Sequence, residues 1–113
     1  MKLYHFTSHS AAVRILDEGL HDDRDGGIWL SPDPQTAMGE NSRGMLLEVQ
    51  IDLLKHQVRQ FARGVREEVW DENHGKFVPS EFSYEWFHIP AEIIRQFGKV
   101  RQLSEDERRE LML

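Results

Sequence analysis

The sequence predicts an α+β domain of five or six short strands interleaved with short helices. Three observations lead there. Apolar runs rich in aliphatic and aromatic residues recur in pieces of three to seven residues, a strand's length and too short for most helices. Between them stand helix punctuation marks, with Ser, Asp or Pro where a helix would begin and Gly where it would end. The chain has 113 residues, enough for one core and no more.

The elements follow in order. Leu3 to Phe6 reads as a first strand. Ser8 to Ser10 offers an N-cap to the amphipathic helix Ala11 to Glu18, and Gly19 suits the left-handed position beyond its end, with Leu20 supplying the contact that accompanies such a cap. The polar loop His21 to Gly27 leads into a second strand, Ile28 to Leu30. Asp33 then caps a short helix with Pro34 in its first turn, where the missing N–H does no harm, and the helix ends near Met38-Gly39. In Met45 to Ile51, Leu47, Val49 and Ile51 fall on one face and Glu48 and Gln50 on the other, the pattern of a half-buried strand.

From Asp52 to Asn73 the apolar spacing suits helices, with Leu53, Leu54, Val58 and Phe61 before Gly64, and Val65, Val69 and Trp70 after it. After the turn at Asn73-His74-Gly75 comes a short strand, Phe77-Val78, ended by Pro79. Ser83 to Ile89 is aromatic and alternating, with Tyr84, Trp86 and His88 on one face and Glu85, Phe87 and Ile89 on the other. Pro90 starts a helical turn that Gly98 ends, Val100 to Leu103 reads as a last edge strand, and Ser104-Glu105-Asp106-Glu107 is a capping box for a polar C-terminal helix.

Bulk properties narrow the function. The formal charge is −6 with acids and bases interleaved, which disfavours a phosphate backbone as partner. The one local basic patch, Arg59 to Arg66, is followed at once by Glu67, Glu68, Asp71 and Glu72. No apolar run approaches the ~18 residues that would span a bilayer. Met1-Lys2-Leu3-Tyr4 leads straight into a strand without a secretory leader, and cysteine is absent, so a cytoplasmic location is expected. The six histidines are scattered without ligand spacing, so no metal site is expected. Neither a nucleophile elbow nor a phosphate-cradling glycine loop occurs.

Four residues stand out against this background. His5 lies between Tyr4 and Phe6 in a run otherwise suited to burial, and a backbone carbonyl is the ordinary partner for such a ring. Trp29 is either a core aromatic or a flat binding surface. Ser31 suits a helix cap. Glu85 sits in the most aromatic stretch of the chain, either reaching solvent from a strand end or held in an apolar crevice where it can stabilise positive charge.

Taken together, these segments resemble the ADP-ribosyltransferase superfamily, in its His–Tyr–Glu class. Leu3-Tyr4-His5-Phe6-Thr7 is similar to the family's first-strand motif, Ile15-Leu16-Asp17-Glu18-Gly19-Leu20 to the helix end that follows it, and Gly27-Ile28-Trp29-Leu30-Ser31, with Ala37 beyond, to its second strand and helix. Glu85, ahead of Ile89-Pro90, is similar to its late glutamate, with Glu81 as the alternative under another register.

The resemblance implies a compact, split mixed or antiparallel β-sheet core and NAD as co-substrate, with no metal. It implies transfer of ADP-ribose to a protein or small-molecule acceptor, with release of nicotinamide. His5 would bind a ribose of NAD, with Phe6 offering its backbone and Thr7 and Ser31 supporting the two strands. Trp29 would stack on nicotinamide. Glu85 would bind the ribose hydroxyl and stabilise the developing positive charge. Phe6 in place of the family's glycine and Trp29 in place of its tyrosine are departures. They keep open a second class of function, a catalytically silent domain of the same fold that acts through a partner. RNA 2′-phosphotransfer to NAD trails both, because the basic residues it needs near the first two strands are missing.

Overall fold

The computed structural model describes residues 1–39, 43–63, 65–84 and 86–111, and of 65–69 and 79–84 it describes the backbone alone. The chain is a small α+β protein, with short helices and three antiparallel sheets among the described residues. In the first sheet β3 (Met45–Ile51) lies between β1 (Lys2–Thr7) and β7 (Gly98–Gln102). Its registers include Leu3 opposite Val49 and Val49 opposite Val100. The second sheet pairs β2 (Ile28–Leu30) with β6 (Phe87–Ile89), and the third pairs β4 (Val65–Asp71) with β5 (Lys76–Tyr84).

Among the described residues, one backbone bridge stitches the first two sheets together. Tyr4 and Ser31 exchange both backbone hydrogen bonds, N–H of Tyr4 to the Ser31 carbonyl at 2.7 Å and N–H of Ser31 to the Tyr4 carbonyl at 3.0 Å. Alternation along β1 then serves two cores. Leu3 enters the larger cluster with Leu20, Ile28, Leu30, Val49, Ile51, Phe87, Ile89 and Ile94. Tyr4 and Phe6 enter a smaller one with Leu46 and Leu103.

Local signals set the helices. Ser8 Oγ accepts from the N–H of Ala11 at the start of α1 (His9–Glu18), and at its end Gly19, with φ of 88°, donates to the Ile15 carbonyl. Asp33 caps α2 (Pro34–Met38) through the N–H of Gln35. A four-residue helix, α3 (Lys55–Val58), runs into a single 3₁₀ turn. α4 (Ala91–Phe97) follows Pro90, and its first N–H, that of Ala91, donates to the Asp22 carboxylate at 2.7 Å. Ser104 and Glu107 close a reciprocal capping box on α5 (Glu105–Leu111), each bond 3.2 Å.

Four expectations are corrected. The helical spacing after Gly64 belongs to β4, because pairing with β5 across the Glu72–Gly75 turn overrides a local pattern that two periods can share. Pro79 does not end its strand. β5 runs on to Tyr84 with Pro79 opposite Glu68, beside a register shift between Arg66 and Glu68, in a two-stranded sheet where a missing donor is tolerated. The aromatic run Ser83 to Ile89 is divided between the end of β5 and β6. Glu48, assigned to a solvent face, is 8% exposed, because that face is covered by the smaller core. Its carboxylate accepts from Arg101 at 3.3 Å, and Arg101 reaches Glu107 at 2.7 Å.

Candidate functional site: a crevice between the first two strands

The crevice follows from how β1 and β2 meet. Because Tyr4 is tied to Ser31, the strands run past each other with His5 alongside Trp29. The imidazole Nδ1–H of His5 donates to the Trp29 carbonyl at 2.9 Å. A carbonyl can only accept, so Nδ1 carries a proton, and in the neutral ring Nε2 is the nitrogen that keeps its lone pair. The partner is a backbone carbonyl, as a strand histidine usually finds, yet the ring is not closed off. His5 and Trp29 both line a cavity of about 410 Å³.

Ala11, Arg14 and Ile15 come to this cavity from one face of α1, spaced three and four residues apart. Leu20, His21, Asp23, Gly27 and Ile28 complete it from the loop and the start of β2. Its floor is apolar, and Arg14 has no ion-pair partner among the described residues. His21 approaches Glu18 at 3.7 Å on the surface.

Trp29 occupies the middle of β2, between the buried Ile28 and Leu30, and the residue is 41% exposed. Two aromatic neighbours hold it. Its register partner His88 lies against it with centroids 4.6 Å apart and planes 39° apart, and Trp86 meets it edge-on at 6.3 Å and 85°. His88 is in turn anchored, its Nε2–H donating to both oxygens of Asp23 at 3.2 and 3.1 Å. Gly27 makes room for this arrangement, since a Cβ there would stand 2.8 Å from His88 Cε1.

Asp23 is itself fixed from the loop, accepting the N–H groups of Asp25 at 2.8 Å and Gly27 at 3.3 Å. Partial burial pulls its carboxyl upward, but the hydrogen bonds from His88 and the two backbone N–H groups outweigh that and hold it below its ordinary value of 3.8. Asp23 is therefore a carboxylate at neutral pH.

The remaining residues singled out in the sequence fall elsewhere. Phe6 turns its ring into the smaller core, beneath the guanidinium of Arg108 at 5.6 Å, so a side chain at this position does not fill the crevice. Thr7 ends β1, opposite Met45. Ser31 is fully buried at the stitch, and its Oγ accepts the N–H of Asp33, steadying the turn into α2. Glu85 lies outside the described residues, between β5 and β6, and of Glu81 only the backbone, in β5, is described.

Sequence reasoning missed Asp23, Arg14 and the part played by His88. The His88 imidazole was visible on the non-core face of its strand, but a partner 65 residues away was not. Among the described residues no three His, Asp or Glu side chains converge to hold a metal ion, and no helix is long and apolar enough to cross a membrane. No family model matches the chain, and neither a curated protein nor a solved structure is significantly similar to it.

Proposed function

We propose that the protein is an NAD-dependent mono-ADP-ribosyltransferase acting on a protein or small-molecule acceptor. The observation that carries the reading is the meeting of His5 and Trp29, 24 residues apart in sequence, on the wall of one cavity. A volume of about 410 Å³ lies within the ~300–1,000 Å³ usual for small-ligand sites. With Nδ1 committed to the Trp29 carbonyl, His5 offers Nε2 to a ribose hydroxyl, and the exposed indole offers a flat face to a ring. The placement of the Phe6 ring in the other core supports the reading too, since that departure from the family pattern leaves the crevice open.

In the reaction the bond between ribose C1′ and the nicotinamide nitrogen breaks, and nicotinamide leaves with the electron pair. A lone pair of the acceptor forms the new bond to C1′, and the acceptor's proton passes to a carboxylate. The resemblance gives Glu85 the stabilisation of positive charge at C1′ and the polarising of the acceptor, and we assign the proton to the same carboxylate.

Nicotinamide release from NAD tests the proposal. Release is expected from the wild-type protein and should fall about 100-fold or more in His5→Ala and Glu85→Gln, the usual loss when one stabilising group is removed. Undiminished release in Glu85→Gln would remove the catalytic assignment. Binding of NAD without release would favour the silent domain, and neither binding nor release would sink the NAD reading altogether.

A further inference from the structure

We propose that a second cavity, on the other side of α1 from the crevice, binds a small phosphate monoester through the guanidinium of Arg108. The site is separate from the crevice and does not depend on the NAD reading. Ala11, Arg14 and Ile15 face the crevice, whereas His9 and Val13, four residues apart on the opposite side of the helix, line this cavity of about 670 Å³. Gly44 and Met45 bound it at the start of β3, and Leu103, Ser104 and Arg108 beyond the end of β7. The two cavities share no residue.

Arg108 is a cation held in place by neutral groups. Its Nη1–H donates to the Gly44 carbonyl at 2.8 Å, its Nη2 lies 4.0 Å from Met38 Sδ, and its Cζ stands 5.6 Å from the centre of the Phe6 ring. None of these partners carries a charge to match the guanidinium, and among the described residues no carboxylate forms an ion pair with it. Glu48 and Glu107 are both taken by Arg101. Glu105 lines the cavity one turn before Arg108, but it is exposed and does not pair with it. A half-buried guanidinium so placed keeps N–H groups for a further acceptor, and gains most from one that brings negative charge.

Backbone geometry builds this position. Gly44, with φ of 141°, brings its carbonyl to Arg108 by lying against the end of β1, where a Cβ would stand 2.5 Å from the Thr7 carbonyl oxygen and 2.8 Å from Phe6 Cζ. Phe6, the residue that departs from the family's first-strand pattern, supplies the ring beneath the guanidinium. Arg43 and His9 add basic groups to the same wall, and His9 opens α1, whose N-terminal end favours an anion. Set against the one carboxylate of Glu105, these groups suit a dianion better than a singly charged acid. Guanidinium forks match phosphate oxygens in pairs. Val13, Met45 and Leu103 give the cavity an apolar side, and its volume, more than a bare phosphate fills, leaves room there for an organic group.

Calorimetric titration at fixed ionic strength with phenyl phosphate, inorganic phosphate and benzoate tests the proposal. Phenyl phosphate should bind saturably and about tenfold more tightly than either of the others, since each of them lacks one half of the match. Arg108→Gln should weaken its binding about tenfold or more, the loss expected for a charge-assisted contact. Val13→Glu, which alters an exposed helical position and sets a carboxylate at the cavity wall, should weaken it as much, and serves if Arg108→Gln does not fold. Arg14→Gln, in the other cavity, should leave it unchanged. Absence of saturable binding overturns the proposal, as does equal binding of phenyl phosphate and either other probe. So does binding that Val13→Glu or a folded Arg108→Gln leaves intact. A loss in Arg14→Gln would place the phosphate in the crevice and overturn it too.

Discussion

Gly27→Ala is the sharpest test of the packing behind Trp29. No left-handed backbone is required at this position, so the substitution costs nothing in conformation. The new Cβ would lie 2.8 Å from His88 Cε1 and 3.0 Å from both ring nitrogens, flat against the imidazole. Ordinary contact needs about 3.4 Å or more. The ring cannot give way freely, because it donates to Asp23 on one side and packs on Trp29 on another.

Overpacking of this kind costs about 1–3 kcal/mol. For 113 residues, an unfolding entropy of about 2.1 cal/mol/K per residue converts each kcal/mol to about 4 °C, so Tm should fall by about 4–12 °C. Urea titrations should show a lower midpoint with unchanged slope. The decisive comparison repeats the substitution in His88→Ala. There the clash is gone, and replacing glycine by alanine should be neutral or stabilising by about 0.4–1 kcal/mol through the unfolded chain. A cost under about 0.5 kcal/mol in the wild-type background, or the same cost in both, refutes the reasoning.

Two further outcomes are expected. Ser104→Ala removes one half of the α5 capping box and should cost about 1 kcal/mol, read by urea titration, with faster amide exchange confined to the first turn of α5. Acid should erase the contribution of Asp23. Its folded carboxyl lies below its unfolded value, so the contribution is complete above about pH 4 and fades as pH falls through the folded value. The stability difference between wild type and Asp23→Asn, measured in urea at pH 7, 5 and 3, should shrink on acidification, and a difference that grows would contradict the assignment.

What could be read from the sequence was what local chemistry decides. Ser8, Gly19, Asp33 and Ser104 act on residues one turn away, and their helices begin or end where expected. β1, β2 and β3 carry the period of their faces in a few residues, though period alone could not say that a second core would bury Glu48. The hairpin of β4 and β5 was missed because Val65 and Val69 fit a helical face until the partner strand is known. His5 and Trp29 drew notice by being out of character for their strands. Asp23 did not, since a carboxylate in a loop of aspartates is unremarkable until His88 comes to meet it.

The stitch between the first two sheets has a consequence in time as well as space. Any parting of the sheets breaks the reciprocal bonds of Tyr4 and Ser31, pulls His5 from the Trp29 carbonyl and opens the core that Leu3 and Val49 share with Ile28 and Leu30. Both amide hydrogens are otherwise shielded, their residues being almost wholly buried. Their exchange with deuterium would therefore run at the frequency of that parting and serve as its clock. A molecule wedged between the strands changes the clock's rate before any bond in it reacts, which separates residence in the crevice from turnover.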